Sequence, residues 1–118
     1  MKIILTGEPK STNNIYKSHC RFGFPTVYMS TTGKDLKKDY QKQLVAQWRK
    51  QPIEEDITLT MRIFFGRKGK HDIDNFNKII WDSLTGIVWK DDSQIVELHI
   101  YKDFDKKNPR VELDIECI

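Results

Sequence analysis

Five aspartates, Asp72, Asp74, Asp82, Asp91 and Asp92, fall within KHDIDNFNKIIWDSLTGIVWKDDSQIVEL, among apolar residues that read as core. Asp72 and Asp74 straddle Ile73, and in an extended segment residues two apart point the same way, so their carboxylates can converge. Asp91 and Asp92 follow about twenty residues later, just ahead of a predicted strand. If that strand lies beside the one ending at Phe65, the second acidic pair returns near the first. Hard cations such as Mg²⁺ are bound by one or two carboxylates together with water and substrate phosphate. Two carboxylates ~4 Å apart repel by roughly 4 kcal/mol at an effective dielectric of ~20, so a cluster of three calls for a cation. A second reading stays open. Asp74 is a good N-cap, Asp91 and Asp92 suit a turn, and Asp74, Lys78 and Asp82 at i, i+4, i+8 fit a surface ion-pair ladder.

Lys78 lies one turn after Asp74, where a cation would offset charge on a five-coordinate phosphorus or support a leaving oxygen. Arg67, Lys68, Lys70 and the amides of the intervening glycine loop are phosphate handles, or else a solvated basic hairpin tip. The loop is not a GxxxxGK[ST] phosphate cradle. Trp81 and Trp89 fit core packing or stacking on an opened base.

The formal charge of +3 is unevenly spread. Residues 1–50 carry ten Lys/Arg against three Asp/Glu, and residues 51–118 carry ten against fourteen. A basic half and an acid-bearing half fit a surface that attracts phosphate and a pocket that repels it until a cation is present.

These residues need elements to position them. KIIL at 2–5 predicts a short strand, GEPKSTNNIY at 7–16 a loop, and TVYMST at 26–31 a strand. A helix then starts with Thr31 or Thr32 as cap. Its apolar stripe is Leu36, Tyr40, Leu44 and Trp48, with Val45 alongside, and Pro52 closes the segment. Lys34, Lys37, Lys38, Lys42, Arg49 and Lys50 take its other faces, as solvated charges or as phosphate contacts. DITLTMRIFF alternates, with Ile57, Leu59, Met61, Ile63 and Phe65 on one face. A second helix carries Phe76, Ile79, Ile80, Ser83 and Leu84 on one stripe and ends at Gly86. QIVELHIYK and RVELDIECI predict two further strands, joined through the polar DFDKKNPR link as a hairpin. The expected fold is α+β: a small mixed β-sheet packed by two main helices, in a single domain over residues 1–118.

At 38% hydrophobic and 31% charged, the composition is that of a soluble domain. No apolar run approaches the ~20 residues of a membrane span and no signal peptide shows, so a cytoplasmic protein is expected. Cys20 and Cys117 lie far apart without a CxxC, and with His19, His71 and His99 they complete no recognisable zinc set; two reduced thiols are the expectation.

HDIDNFNKIIWDSL followed by WKDDSQIVEL closely resembles the RusA family of Holliday junction resolvases, and PKSTNNIY resembles that family's Pro-x-Ser-x-Asn loop at Pro9, Ser11 and Asn13. The resemblance covers essentially the whole chain. It implies a RusA-like homodimer that cuts four-way DNA junctions by paired symmetric nicks with Mg²⁺ or Mn²⁺, in DNA recombination and repair, inside a bacterium or its phage. It assigns the essential acids to Asp72, Asp74 and Asp92, with Asp91 as a neighbouring carboxylate, and the functional lysine to Lys78. Ser11 and Asn13 would contact DNA backbone or brace the active-site loop; Lys37, Lys38, Arg67, Lys68 and Lys70 would bind flanking phosphates. The loop before Asp72 carries fewer arginines than the founding member's, and the spacer TGIVWK is a residue shorter. Cleavage of other branched DNA, or binding of branched nucleic acid without catalysis, are the alternatives.

Overall fold

Every inward position of the alternating segment is sealed: Ile57, Leu59, Met61, Ile63 and Phe65 are at most 1% exposed. That segment is the centre of the sheet. In the computed structural model, which describes residues 1–11, 16–21 and 23–118, with 16–21, 24–27, 74 and 75 described by backbone alone, the elements run in the following order. Strand β1 (Lys2–Thr6) comes first, then β2 (Tyr16–Arg21), β3 (Phe24–Met29), helix α1 (Thr31–Gln47) and β4 (Ile57–Phe65). A 3-10 turn (Ile73–Phe76), helix α2 (Asn77–Leu84), a second 3-10 turn (Asp92–Gln94), β5 (Ile95–Phe104) and β6 (Arg110–Cys117) complete the order.

Four strands form one sheet in the order β1-β6-β4-β5, and β2 pairs with β3 apart from it. β6 runs antiparallel to β1 and to β4, whereas β5 runs parallel to β4. The sheet is therefore mixed, and with two main helices the α+β expectation holds. The core joins the inner residues of β4 to Ile3 and Leu5 of β1, Val111, Leu113 and Ile115 of β6, Tyr40 and Leu44 of α1, and Ile79, Ile80 and Leu84 of α2.

Several expectations are corrected. The cap of α1 is Ser30, whose hydroxyl accepts from Gly33 N at 3.1 Å, not Thr31 or Thr32. Val45 is 64% exposed, because the contact stripe of α1 runs through Tyr40, Leu44 and Trp48 and leaves its neighbour outside. β2 had no sequence signal: YKSHCR lacks alternation, and cross-strand pairing to β3 creates it. Finally, β5 and β6 do not form a hairpin. Both pair with β4, one on each side. The link from Asp105 to Pro109 crosses the end of β4, where Asp105 N donates to Phe65 O at 2.8 Å and Gly7 N to Pro109 O at 3.0 Å. A strand with both edges paired and its whole inner face buried is worth more to the core than a tight turn between two half-buried strands.

Candidate active site

The basic loop after β4 is held in place at three points. Both carboxylate oxygens of Glu8 accept from Gly66 N, at 3.0 and 3.3 Å. A Cβ at position 66 would sit 2.6 Å from Glu8 Oε2 and 3.2 Å from Pro109 Cγ, so a larger residue there would push the Glu8 carboxylate aside. The His71 ring stacks on Phe65 with centroids 3.9 Å apart, and its Nε2 pairs with Arg67 O at 3.1 Å. Lys102 Nζ, on β5, donates to His71 O at 3.0 Å. With residue 71 fixed by its ring and its carbonyl, the chain delivers Asp72 to the surface at the carboxyl end of β4.

Asp72 is exposed and extended (φ −77°, ψ 117°), and it opens the 3-10 turn that contains Asp74. The period-two argument for convergence therefore stops at Asp72: burial of Phe76 against Phe65 curls the segment at Ile73. Asp74 is not a helix cap, since Asp72 precedes the turn and Phe76 precedes α2. It stands four residues before Lys78, which is exposed in the first turn of α2. Beside this turn opens a cavity of about 250 Å³ lined by Arg67, Lys68, His71, Lys102 and Asp103 with Phe65, Gly69 and Phe104. Lys68 Nζ lies 5.5 Å above the Phe104 ring, and Arg67, Lys68 and Lys70 are all exposed. Ser11 is half-buried, whereas Asn13 lies outside the described residues. Elsewhere, Lys34, Lys37 and Lys38 gather on α1 around half-buried Met29. Trp89 is fully buried and its indole donates to Thr85 Oγ1 at 3.0 Å; the Trp81 indole donates to Met61 Sδ at 3.1 Å, so both tryptophans pack into the fold.

Asp91 and Asp92 occupy a different kind of turn. Asp91 caps the second 3-10 turn, accepting from the backbone and hydroxyl of Ser93, and the Ser93 hydroxyl above all holds its carboxyl below the usual carboxylate range. The turn is anchored by buried Gln94. Its Oε1 accepts from Lys90 N and Asp91 N, each at 2.9 Å, and its Nε2 donates to Ile53 O and Glu55 O, each at 2.8 Å. Asp92 is exposed just after the cap. Gln94 was missed in the sequence, although Asp91-x-x-Gln94 has capping-box spacing. Glu8 was missed as well, and nothing local announces its partner 58 residues away. Gln94→Ala is expected to remove four hydrogen bonds to backbone, one of them buried, and lower stability by about 1–3 kcal/mol, read by thermal or urea unfolding.

The two acidic pairs do not meet within one chain. The second strand does lie beside the one ending at Phe65, but parallel to it: Ile57 pairs with Ile95, and Phe65 with Phe104. A parallel crossover returns the chain to the starting end of its neighbour. Asp91 and Asp92 therefore sit by Ile53–Glu55, before β4, whereas Asp72 and Asp74 sit after it. The nine residues of β4 span about 26 Å at ~3.3 Å per step. Among the described residues, no three His, Cys, Asp or Glu side chains are grouped as metal ligands. The single cleft expected from the sequence is thus corrected by the strand direction.

Residues 6–116 match the family described as endodeoxyribonuclease RusA. The chain belongs to the RusA endodeoxyribonuclease family. A curated relative, the uncharacterized protein YqaN of Bacillus subtilis (strain 168), is 46% identical over 46 residues, which cover 39% of this chain and 32% of that protein. The chain thus matches about a third of the length of that relative. Among the described residues no helix of this RusA-family chain is long and apolar enough to cross a membrane.

Proposed function

We propose that this RusA-family chain is a single nuclease domain over residues 1–118 that cuts four-way DNA junctions as a homodimer, by paired Mg²⁺- or Mn²⁺-dependent phosphodiester hydrolysis. The observation that carries the reading is exposed Asp72, at the start of the 3-10 turn that contains Asp74, set against a cavity lined by Arg67, Lys68, Lys102 and Asp103. Carboxylates beside clustered cations suit a phosphodiester whose negative charge must be both bound and neutralised.

The acids are hard oxygen donors of the kind that Mg²⁺ takes, one or two at a time alongside water and phosphate. Asp72 and Asp74 of one protomer, with Asp92 of the other, would hold the cation; Asp91, engaged by Ser93, would stand behind Asp92 and keep its turn in place. A bound divalent cation supplies Lewis-acid charge neutralisation at the scissile phosphate. The chain's own residues do the rest. Arg67, Lys68 and Lys70 grip the flanking backbone, Lys37 and Lys38 extend that grip along α1, and Lys78 offsets charge as the phosphorus becomes five-coordinate. Because one chain keeps its acidic pairs at opposite ends of β4, two chains in two-fold arrangement complete two sites, which matches a junction cut twice.

The test is cleavage of a synthetic four-way junction with Mg²⁺, with Mn²⁺, and with chelator, alongside three-way and linear DNA. Cation-dependent, symmetric nicks in the four-way substrate are expected, reduced on the order of 10³-fold or more by Asp74→Asn. Equal cutting of three-way or linear DNA would make it a general branched-DNA or non-specific nuclease. Junction binding without product at any cation concentration would leave only a binding module.

A further inference from the structure

The loop that carries Arg67, Lys68 and Asp72 begins at Gly66, and its first backbone amide is held by a side chain from the N-terminal segment. β1 is fixed on both edges before it delivers that side chain. On one edge Thr6 pairs with Arg110 of β6. On the other, two glutamines of α1 close β1 in place of a strand. Gln47 accepts from Ile4 N at 3.0 Å and donates to Ile4 O at 2.7 Å. Gln43 accepts from Thr6 N at 2.8 Å and donates to Thr6 O at 3.1 Å. Gly7 then turns the chain at a φ of 114°, a conformation that favours glycine, and its amide donates to Pro109 O at 3.0 Å. Pro9 is buried. Between these two anchors, half-buried Glu8 sends its carboxylate to Gly66 N, 58 residues away, with its oxygens at 3.0 and 3.3 Å. Pro109 closes the other side of Gly66, where a Cβ would meet Pro109 Cγ at 3.2 Å. The link that supplies Pro109 is pinned in turn: Arg110 Nη1 donates to Asp105 Oδ2 at 2.7 Å and to Asn108 O at 2.9 Å.

We propose that Glu8 is a positioning residue for phosphodiester cleavage: it fixes the start of the 66–72 loop and, through that loop, Asp72 and the cations that bind phosphate. The inference rests on the nuclease reading and adds to it a residue outside the acidic and basic clusters. Both Glu8 oxygens face one backbone amide, so the side chain acts through the loop and not on the substrate. The far end of the loop is held by His71, through its ring on Phe65 and its carbonyl on Lys102. The near end is held by Glu8 against the bulk of Pro109. A hydrogen bond to a carboxylate is among the stronger ones. Its loss nevertheless leaves the centre of the sheet intact, because Ile57, Leu59, Met61, Ile63 and Phe65 stay buried in a strand paired on both edges. The effect therefore falls on geometry more than on folding, and a displacement of about 1 Å at a reacting group can cost on the order of 10²-fold in rate. Glu8 also stands three residues before Ser11, so one bond joins the N-terminal loop to the loop that carries Asp72.

The experiment compares Glu8→Ala, Glu8→Gln and Gly66→Ala on a four-way junction with Mg²⁺, by gel shift, single-turnover cleavage and amide hydrogen exchange. Glu8→Ala is expected to slow cleavage about tenfold or more while junction affinity stays within about twofold of native. Glu8→Gln is expected to recover the rate to within about threefold of native, because a carboxamide oxygen still accepts from Gly66 N. Gly66→Ala pushes the carboxylate aside and is expected to copy Glu8→Ala. The double variant is expected to be no slower than either single one, since both changes remove the same bond. Amides of residues 67–71 are expected to exchange about tenfold faster in Glu8→Ala, with those of 57–64 unchanged. Native-like cutting by Glu8→Ala would overturn the positioning role and leave the nuclease reading standing. So would losses that multiply in the double variant, a Glu8→Gln rate as low as that of Glu8→Ala, or a rate loss matched by lost affinity or a lower unfolding midpoint. If the native protein cut no DNA with any cation, the nuclease reading would fall and exchange alone would decide: faster exchange at 67–71 would keep Glu8 as the residue that sets the loop, and unchanged exchange would sink it.

Discussion

Asp72→Asn and Asp92→Asn proteins, each inert alone toward a four-way junction, are expected to regain nicking when mixed. The reason is the parallel register of β4 and β5, which keeps the two acids at opposite ends of each chain. If sites are shared between protomers, a mixed dimer concentrates both substitutions in one site and leaves the other with Asp72 from one chain and Asp92 from its partner. Half of the dimers in an equimolar exchanged mixture are mixed, and each has one of its two sites intact, so about a quarter of the native nicking rate returns. Paired cuts do not return, because no dimer has two good sites. The measurement is strand-resolved cleavage after the two proteins have been co-incubated long enough to exchange. If each chain carried a complete site, the mixture would stay as inactive as its parts, and the shared arrangement would be wrong whatever the protein's specificity.

Lys78→Ala is expected to slow cleavage by on the order of 10²-fold or more while junction affinity changes little. Lys78 is exposed in the first turn of α2, four residues after Asp74 in the chain, a position where the helix dipole opposes a cation. A charge placed there stabilises the transition state more than the bound substrate, so its removal lowers the single-turnover rate rather than the affinity. Gel shift and single-turnover cleavage on the same junction separate the two quantities. A parallel loss of affinity and rate would make Lys78 a phosphate anchor, in the same class as Arg67 and Lys68. Lys78→Arg discriminates further: it retains the charge but changes donor geometry, and partial recovery of rate is expected.

Much of this protein was legible residue by residue. The buried faces of β4 and α2 followed from periods of two and about 3.6, and every residue assigned to those two stripes is buried. Candidate residues could be named because carboxylates, lysines and their spacing are local facts, and the motif through HDIDNF and WKDD pointed to the RusA family that residues 6–116 match. Composition and alternation were enough for a mixed α+β sheet with two helices.

What the sequence by itself left open was strand direction and neighbourhood. A period-two pattern says which side of a strand is buried and nothing about which edge meets which partner, so β5 and β6 read as a hairpin although β4 lies between them. The same ambiguity hid the separation of the acidic pairs. Whether the strand after Asp92 ran parallel or antiparallel to β4 decided which end of the sheet it began at, and only the crossover through α2, with Ile79, Ile80 and Leu84 in the shared core, settled that. Glu8 reaching Gly66, Gln94 reaching Ile53 and Glu55, and the glutamines closing β1 are contacts between residues tens of positions apart. Such contacts exist only once the core has brought distant segments together, because the free energy that holds them is the burial of the whole interior and not the preference of any one stretch.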